Sequence, residues 1–519
     1  MITAEQLRKP KNLAVGLGVL LLAMSLAGVS TRFAGVQGWL SFLVVVALGA
    51  GVLWGGWRGI RREDPPNWLA KLVVGAALLR LALGVFWLLA LPVWGYDTPV
   101  QQGGYVMEDA FNRDAAAWRL AQSETPLIEA FQGYSAYDQF GGLLFLSAGV
   151  YRYLGANFHQ PLLMLVLAAV FSALAVTFTW AFAKRAWGEQ TAWLAAWLLA
   201  VYPEAALMGS TQMREAWMVS LAAMALYGLL RWWDQRNWAN AAWGLLPVLI
   251  GLPLSTAFTG MLVGMLAVAA MALDEWELLR KKRFWLGIGI LAAAGLAVIL
   301  TVAEGSELWI VQTTKWQARL SEGASGWVQR TFEKMPADLA WTQLPFLLIY
   351  GVFRPLLPAA LIAGGKPLWW GVAVWRAAGW TVILTLLLYA TFLAVRGRQR
   401  KELAGGLLVV TWVVILLASL RGGGDMWDNP RYRAALAGVQ AALAAWAVIQ
   451  QRESKDPWLK RAFVSALVMM AWFVPWYLRR YTEFLWPVVE LSQTVGLGLV
   501  SAGLYILWDW IGEIRELAS

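Results

Sequence analysis

Long apolar runs separated by short polar breaks occupy most of the chain. A helix that crosses a bilayer needs about 20 mostly apolar residues. Runs of that kind occur at 13–29, 36–57, 68–91, 161–182, 191–208, 216–233, 239–273, 284–303, 341–363, 376–395, 403–420, 432–450, 459–477 and 484–508. The run 239–273 is long enough for a hairpin and contains Pro253, a natural helix breaker. The first run reads as a span and not as a cleavable signal peptide, because it is long and more spans follow it. The pattern predicts an all-α, polytopic transmembrane helix bundle of about 12–14 spans. One apolar stretch, 139–154, has no room to cross and reads as a re-entrant or interfacial helix attached to the polar segment before it.

The polar breaks differ in sign, and that predicts sidedness. Basic groups recur at Arg8, Lys9 and Lys11; Arg58, Arg61 and Arg62; Lys184 and Arg185; Arg231 and Arg236; Arg280 to Arg283; and Arg396, Arg398, Arg400 and Lys401. Basic residues gather in cytoplasmic loops, so these segments and the N-terminus are expected on the cytoplasmic side. Segments 92–160, 203–215, 304–340 and 421–433 then share the external side of a bacterial or archaeal cytoplasmic membrane. Arg479 and Arg480 fall outside as well, against the rule. Three regions result: N-terminal spans (1–91), an acidic external loop with its following spans (92–235), and C-terminal spans (236–519). The last carries an external loop at 304–375 and an arginine-rich turn at 421–433.

Composition narrows the chemistry. With 60% hydrophobic and 14% charged residues the chain is neither a soluble enzyme nor disordered. The net charge of +10 suits anionic lipid at the membrane surface, and no nucleic-acid partner is expected. Cys is absent and His159 is the single histidine, so thiolate sites, a Cys nucleophile and a His-cluster metal site are excluded. Most of the 35 Trp lie at span ends and read as an aromatic belt.

Three external segments concentrate the remaining polar chemistry. The first opens a short amphipathic helix with Glu108 and Asp109, in which Phe111, Ala115 and Trp118 are expected to face the bilayer. The acidic pair either complements the helix dipole or presents a base at the membrane surface. The second, Gln212-Met213-Arg214-Glu215, lies in a membrane hairpin where charges need partners. Arg214 either closes the turn on a glutamate or takes part in a site. The third, Arg421 to Arg433, joins a glycine turn to a helix that opens with Arg431, Tyr432 and Arg433. Two guanidinium groups at a helix start form an anion site, or else snorkel to lipid headgroups. His159 reads as packed or solvated and not as a catalyst.

Taken in order, these segments resemble the GT-C superfamily of integral membrane glycosyltransferases, in particular bacterial relatives of protein mannosyltransferases and lipid A aminoarabinose transferases. Glu108-Asp109-Ala110-Phe111 is similar to the family's acidic pair. Tyr137-Asp138-Gln139-Phe140 resembles its juxtamembrane helix, Lys184-Arg185-Ala186-Trp187-Gly188 its basic cytoplasmic end, Gln212-Met213-Arg214-Glu215-Ala216 its hairpin glutamate, and Arg431-Tyr432-Arg433 its late Arg-Tyr. The resemblance implies a GT-C-like bundle with juxtamembrane helices. It also implies inverting transfer of a sugar from a polyprenyl-phosphate donor to a hydroxyl of a glycan, lipid or protein on the external face. Glu108 or Asp109 would be the base, and Arg431, Tyr432 and Arg433 would hold the donor phosphate. Arg214, Glu215, Gln212 and Asp138 would shape the pocket. No metal ligands are assigned; a divalent metal serves some relatives and not others, so the cofactor stays open. A transporter or lipid flippase, and a glycan polymerase or ligase on another helical fold, are the alternatives.

Overall fold

A chain buried in hydrocarbon must pair its backbone N–H and C=O groups internally, which favours helices. The computed structural model describes residues 10–31, 36–274, 277, 332, 336–397, 402–422 and 431–518, and among them every regular element is helical. The helices are α1 (Pro10–Thr31), α2 (Val36–Gly59), α3 (Asn67–Trp94), α4 (Pro99–Gln102), α5 (Glu108–Gln122), α6 (Gly142–Tyr153), α7 (Leu162–Trp187), α8 (Glu189–Val201), α9 (Pro203–Gly209) and α10 (Glu215–Asp234). They continue as α11 (Trp238–Leu254), α12 (Thr256–Leu273), α13 (Gln343–Phe353), α14 (Leu357–Ile362), α15 (Pro367–Arg396), α16 (Leu403–Gly422), α17 (Arg431–Ala434), α18 (Ala437–Ser454), α19 (Trp458–Tyr481) and α20 (Leu491–Ala518).

Eight of the described helices are long and apolar enough to cross a membrane, and the bent pair α8–α9 adds a ninth. The protein is thus a multi-pass integral membrane protein. The long run 239–273 is a helix pair, α11 and α12, broken at Ser255. The stretch 139–154 forms the 12-residue α6, too short to span. The run at 284–303, the basic groups at 280–283 and 398–401, and the glycine turn at 423–430 lie outside the described residues.

The contacts divide the chain into two units. The first comprises Met1–Val263, Gly365–Val372 and Ala434–Trp446. Its centre is α7, which packs against α2, α3, α8 and α10 and is 94% buried over its apolar window. Alanines at 168, 169, 173, 175, 181 and 183 let those neighbours approach closely.

The bend of 56° between α8 and α9 falls just before Pro203, which cannot donate a backbone hydrogen bond. The last carbonyls of α8 therefore need outside donors. Arg80 of α3, fully buried, supplies them. Its Nη1 donates to Ala200 O (3.2 Å), its Nη2 to Leu199 O (3.2 Å) and its Nε to Ser172 Oγ (2.9 Å). Arg80→Leu leaves these acceptors unmet, and a buried unmet acceptor costs about 1–3 kcal/mol. The expected result is a clear fall in Tm of the detergent-purified protein. An unchanged Tm would show that the bend holds without Arg80.

The basic and acidic segments of this unit lie at opposite ends of its helices. At one end Lys184 Nζ donates to Glu63 O (2.8 Å), Arg185 pairs with Glu63 (2.6 Å) and Tyr227 OH donates to Glu63 Oε1 (3.0 Å). At the other end lie α5, α6 and the α9–α10 turn.

The second unit comprises Gly264–Gly364, Ala373–Arg433 and Ala447–Ser519. Within it α19 packs on α20, α13 on α16 and α14 on α19. Arg461 of α19 ties the first pair together through Asp509 (2.9 Å) and Glu513 (2.6 Å) of α20. Arg480 lies over Trp476 (4.2 Å), so this span-end arginine is engaged in packing.

Candidate active site

The site builds from α5. Glu108 and Asp109 form its first turn, where the helix dipole favours acids, and both are exposed. The buried stripe of α5 consists of Ala110, Arg113, Asp114, Ala116, Ala117, Leu120 and Ala121. Phe111, Ala115 and Trp118, expected to face the bilayer, are half-buried beside this stripe. The small alanines allow α5 to lie close against α6, and the bulkier aromatic rings flank that contact and stack on neighbouring side chains. Phe111 meets Tyr105 edge-on (5.4 Å), and Trp118 stacks on His159 (5.3 Å) and meets Tyr151 (5.9 Å). Arg152 of α6 donates to the carbonyls of Leu120, Ala121, Ser123 and Thr125, capping the C-terminal end of α5.

Two charged groups on the buried stripe find partners in the fold. Arg113, 2% exposed, donates to the Gln212 carbonyl in the α9–α10 turn. Burial pushes its guanidinium below the ordinary value, while the charge of Asp138 pulls it back up. Asp114, 1% exposed, accepts from the hydroxyls of Tyr105 and Tyr151. His159 Nε2 stands 2.8 Å from Asp114 Oδ2, a close contact that is not an aligned hydrogen bond. His159 is thus the packed histidine of the sequence reading, but set against a carboxylate.

Burial, and then the charge of Asp114, hold both tyrosines well above the usual phenol range. The folded state therefore favours their neutral forms. That stability is fully present below pH about 10 and is lost as the pH rises from there toward the raised folded values. An alkaline titration read by tyrosinate absorbance should show these two ionising only with unfolding. Tyr105→Phe and Tyr151→Phe should each remove part of that late step, and early ionisation of both would refute the arrangement.

Asp138 is buried beside the turn that leads into α6. It accepts from Phe140 N (3.4 Å) and from Leu144 N (3.0 Å), a free N–H in the first turn of α6. The next turn needs glycine twice. Gly141 adopts φ +75°, and a side chain at Gly142 would meet Pro253 O at 2.1 Å. Arg214 Nη1 lies 3.9 Å from Asp138 Oδ1 and its guanidinium sits over Phe140 (5.0 Å). Arg214 thus faces an aspartate of the preceding loop, not a glutamate of its own hairpin. Gln212 Nε2 donates to Pro161 O (3.1 Å), and Glu215, 8% exposed, keeps Oε2 buried with no hydrogen-bond partner.

The structure thus brings Asp138, Gln212, Arg214 and Glu215 together around Arg113, with Asp109 one helical turn away on α5. Arg113, Asp114, Tyr105 and Tyr151 were missed by the sequence reading. The available signal was a charged pair at the i+3 and i+4 positions from Ala110, on an otherwise alanine-lined stripe.

In the second unit, Arg431, Tyr432 and Arg433 lie on α17, a helix of only four residues, so the guanidinium groups and not a long helix dipole dominate there. Arg433, 2% exposed, lies 3.3 Å above the Trp380 ring centroid. Arg431 Nη2 donates to Tyr432 OH (3.0 Å). Among the described residues no three His, Cys, Asp or Glu side chains are placed to share a metal ion.

Residues 153–302 match the family model for dolichyl-phosphate-mannose-protein mannosyltransferases. Curated protein sequences give no match. Among solved structures, the chain is similar to the archaeal oligosaccharyltransferase AglB from Archaeoglobus fulgidus in complex with an inhibitory peptide and a dolichol-phosphate, at 14% identity and a TM-score of 0.36. The likeness covers 84% of this chain and 54% of that one, so the chain spans about half the length of that structure.

Proposed function

We propose that the chain is a GT-C-type membrane glycosyltransferase that moves a sugar from a polyprenyl-phosphate donor to an acceptor hydroxyl on the external face, with inversion; the match of residues 153–302 to the mannosyltransferase family model supports this. One observation carries the reading. The acidic pair stands on a helix that Arg113 anchors to Gln212, and of these residues Gln212 lies inside the family-matched segment.

In this reading the acceptor hydroxyl, a poor nucleophile, needs a carboxylate base. Asp109 shares the face of Arg113, four residues on, and so points toward the hairpin; Glu108 shares the face of exposed Asn112. Asp109 is therefore the base and Glu108 its companion. The leaving group is a lipid phosphate, already a stable anion, so it needs charge stabilisation and no strong acid. Arg431 and Arg433, with Tyr432, supply that. Arg214, Gln212 and Asp138 shape the sugar pocket, and the unpartnered Glu215 Oε2 accepts from a sugar hydroxyl. A single in-line displacement inverts the anomeric carbon. The acceptor is a hydroxyl of a glycan, lipid or protein. A transporter would keep mid-span charges for its cargo, whereas Arg80 spends its donors on carbonyls and Ser172.

The test is a lipid extract of the purified protein, examined by mass spectrometry, together with a transfer assay using a polyprenyl-phosphate sugar. A co-purified polyprenyl-phosphate sugar and transfer from it are expected. Neither binding nor transfer would overturn the reading.

A further inference from the structure

At the end of the first unit remote from the acidic loop, a polar cleft is lined by Arg62, Arg185, Arg231, Gln235 and Asn240. It lies where the turn after α2 and the ends of α7, α10 and α11 meet. Its charges do not cancel. Arg185 is offset by Glu63 (2.6 Å) and by Asp234. Among the described residues the guanidinium of Arg231, 5% exposed, reaches the Gly59 carbonyl (3.4 Å) and the Tyr227 ring (5.5 Å) and no carboxylate pairs with it. Arg62 is exposed and has no hydrogen bond or ion pair among the described residues. Two guanidinium groups therefore remain for an anion, and guanidinium matches phosphate oxygens in pairs.

A second, independent observation specifies the rest of the ligand. Asn240, 1% exposed, has its orientation fixed because Nδ2 donates to Arg231 O (3.2 Å) and Gln235 O (3.1 Å). Its Oδ1 is buried with no hydrogen-bond partner. A buried amide oxygen left unmet requires a donor. The aromatic residues nearby fix the depth. Trp54 is 61% exposed beneath Arg58, Trp238 is 88% exposed, and Arg236 lies over both Trp232 and Trp233. Exposed tryptophans with basic neighbours mark the headgroup level of a bilayer.

We infer that this cleft binds a phosphate ester that also carries a hydroxyl, with the phosphate on Arg62 and Arg231 and the hydroxyl donating to Asn240 Oδ1. The headgroup depth favours an anionic glycerophospholipid over a soluble ester. The site is separate from the transfer chemistry and stands whether or not that reading holds.

The full-length protein, delipidated in detergent, would be titrated with phosphatidylglycerol, phosphatidylcholine and glycerol 3-phosphate under native mass spectrometry. Phosphatidylglycerol should be retained over phosphatidylcholine, which lacks both net charge and a headgroup hydroxyl. Arg62→Gln should weaken that retention about fivefold, and Arg62→Glu more, while Arg61→Gln, beside the cleft but not lining it, should leave it unchanged. Circular dichroism checks that each variant is folded. Displacement by glycerol 3-phosphate identifies a soluble ester as occupant, and its failure to displace identifies the lipid; both support the site. Equal retention of the two lipids, or equal weakening by Arg61→Gln and Arg62→Gln, overturns it.

Discussion

Asp109→Asn will slow sugar transfer from a polyprenyl-phosphate donor by about 10²–10⁴-fold, the usual cost of losing a general base. The substitution keeps the side chain's shape and removes only its ability to take a proton. Asp109 is exposed, and circular dichroism checks that the variant is folded. Donor retention, read by mass spectrometry, should therefore change little while kcat falls. Glu108→Gln should cost much less, because Glu108 lies on the face shared with Asn112. A reversed order would make Glu108 the base. Full activity in both variants would remove the acidic pair from the chemistry.

The second large effect is expected at the arginines of α17. Loss of one preorganised donor to a developing oxyanion costs about 10²–10³ in rate, so Arg431→Gln and Arg433→Gln should each lower kcat/KM by that amount. Arg433 also carries packing, with its guanidinium carbon 3.3 Å from the Trp380 ring centroid. Arg433→Lys separates the two roles, since it keeps a charge but loses the planar fork. Activity between that of wild type and Arg433→Gln is the expected pattern, and any fall in Tm reports the packing on Trp380. If Arg431→Gln and Arg433→Gln fold normally and transfer at the wild-type rate, the phosphate is held elsewhere.

Hydropathy alone revealed much of the architecture. The apolar runs, the break in 239–273 and the short helix within 139–154 are all visible in local patterning, because span length and proline are local properties. The rotation of α5 was not visible. Its aromatic residues outweigh alanine on any hydropathy scale, yet small side chains decide which face lies against another helix. A charged residue on that face looks costly until its partner is known, and besides nearby Tyr105 the partners of Arg113 and Asp114 come from Gln212, Tyr151 and His159, distant in sequence. The same holds for Arg214, whose neighbour Asp138 belongs to a different loop.

The enclosure of α7 has a consequence for biogenesis. Two of its covering helices, α2 and α3, leave the ribosome before it, and two, α8 and α10, leave after it. The nascent chain must therefore hold a mostly apolar segment in lipid with half its neighbours absent, and this core closes only when α10 has been inserted. The anchor for α5 arrives at the same moment, because Gln212 directly precedes α10. Chains ended before that point would reach the bilayer with the acidic helix held by α6 alone, without the Arg113–Gln212 anchor.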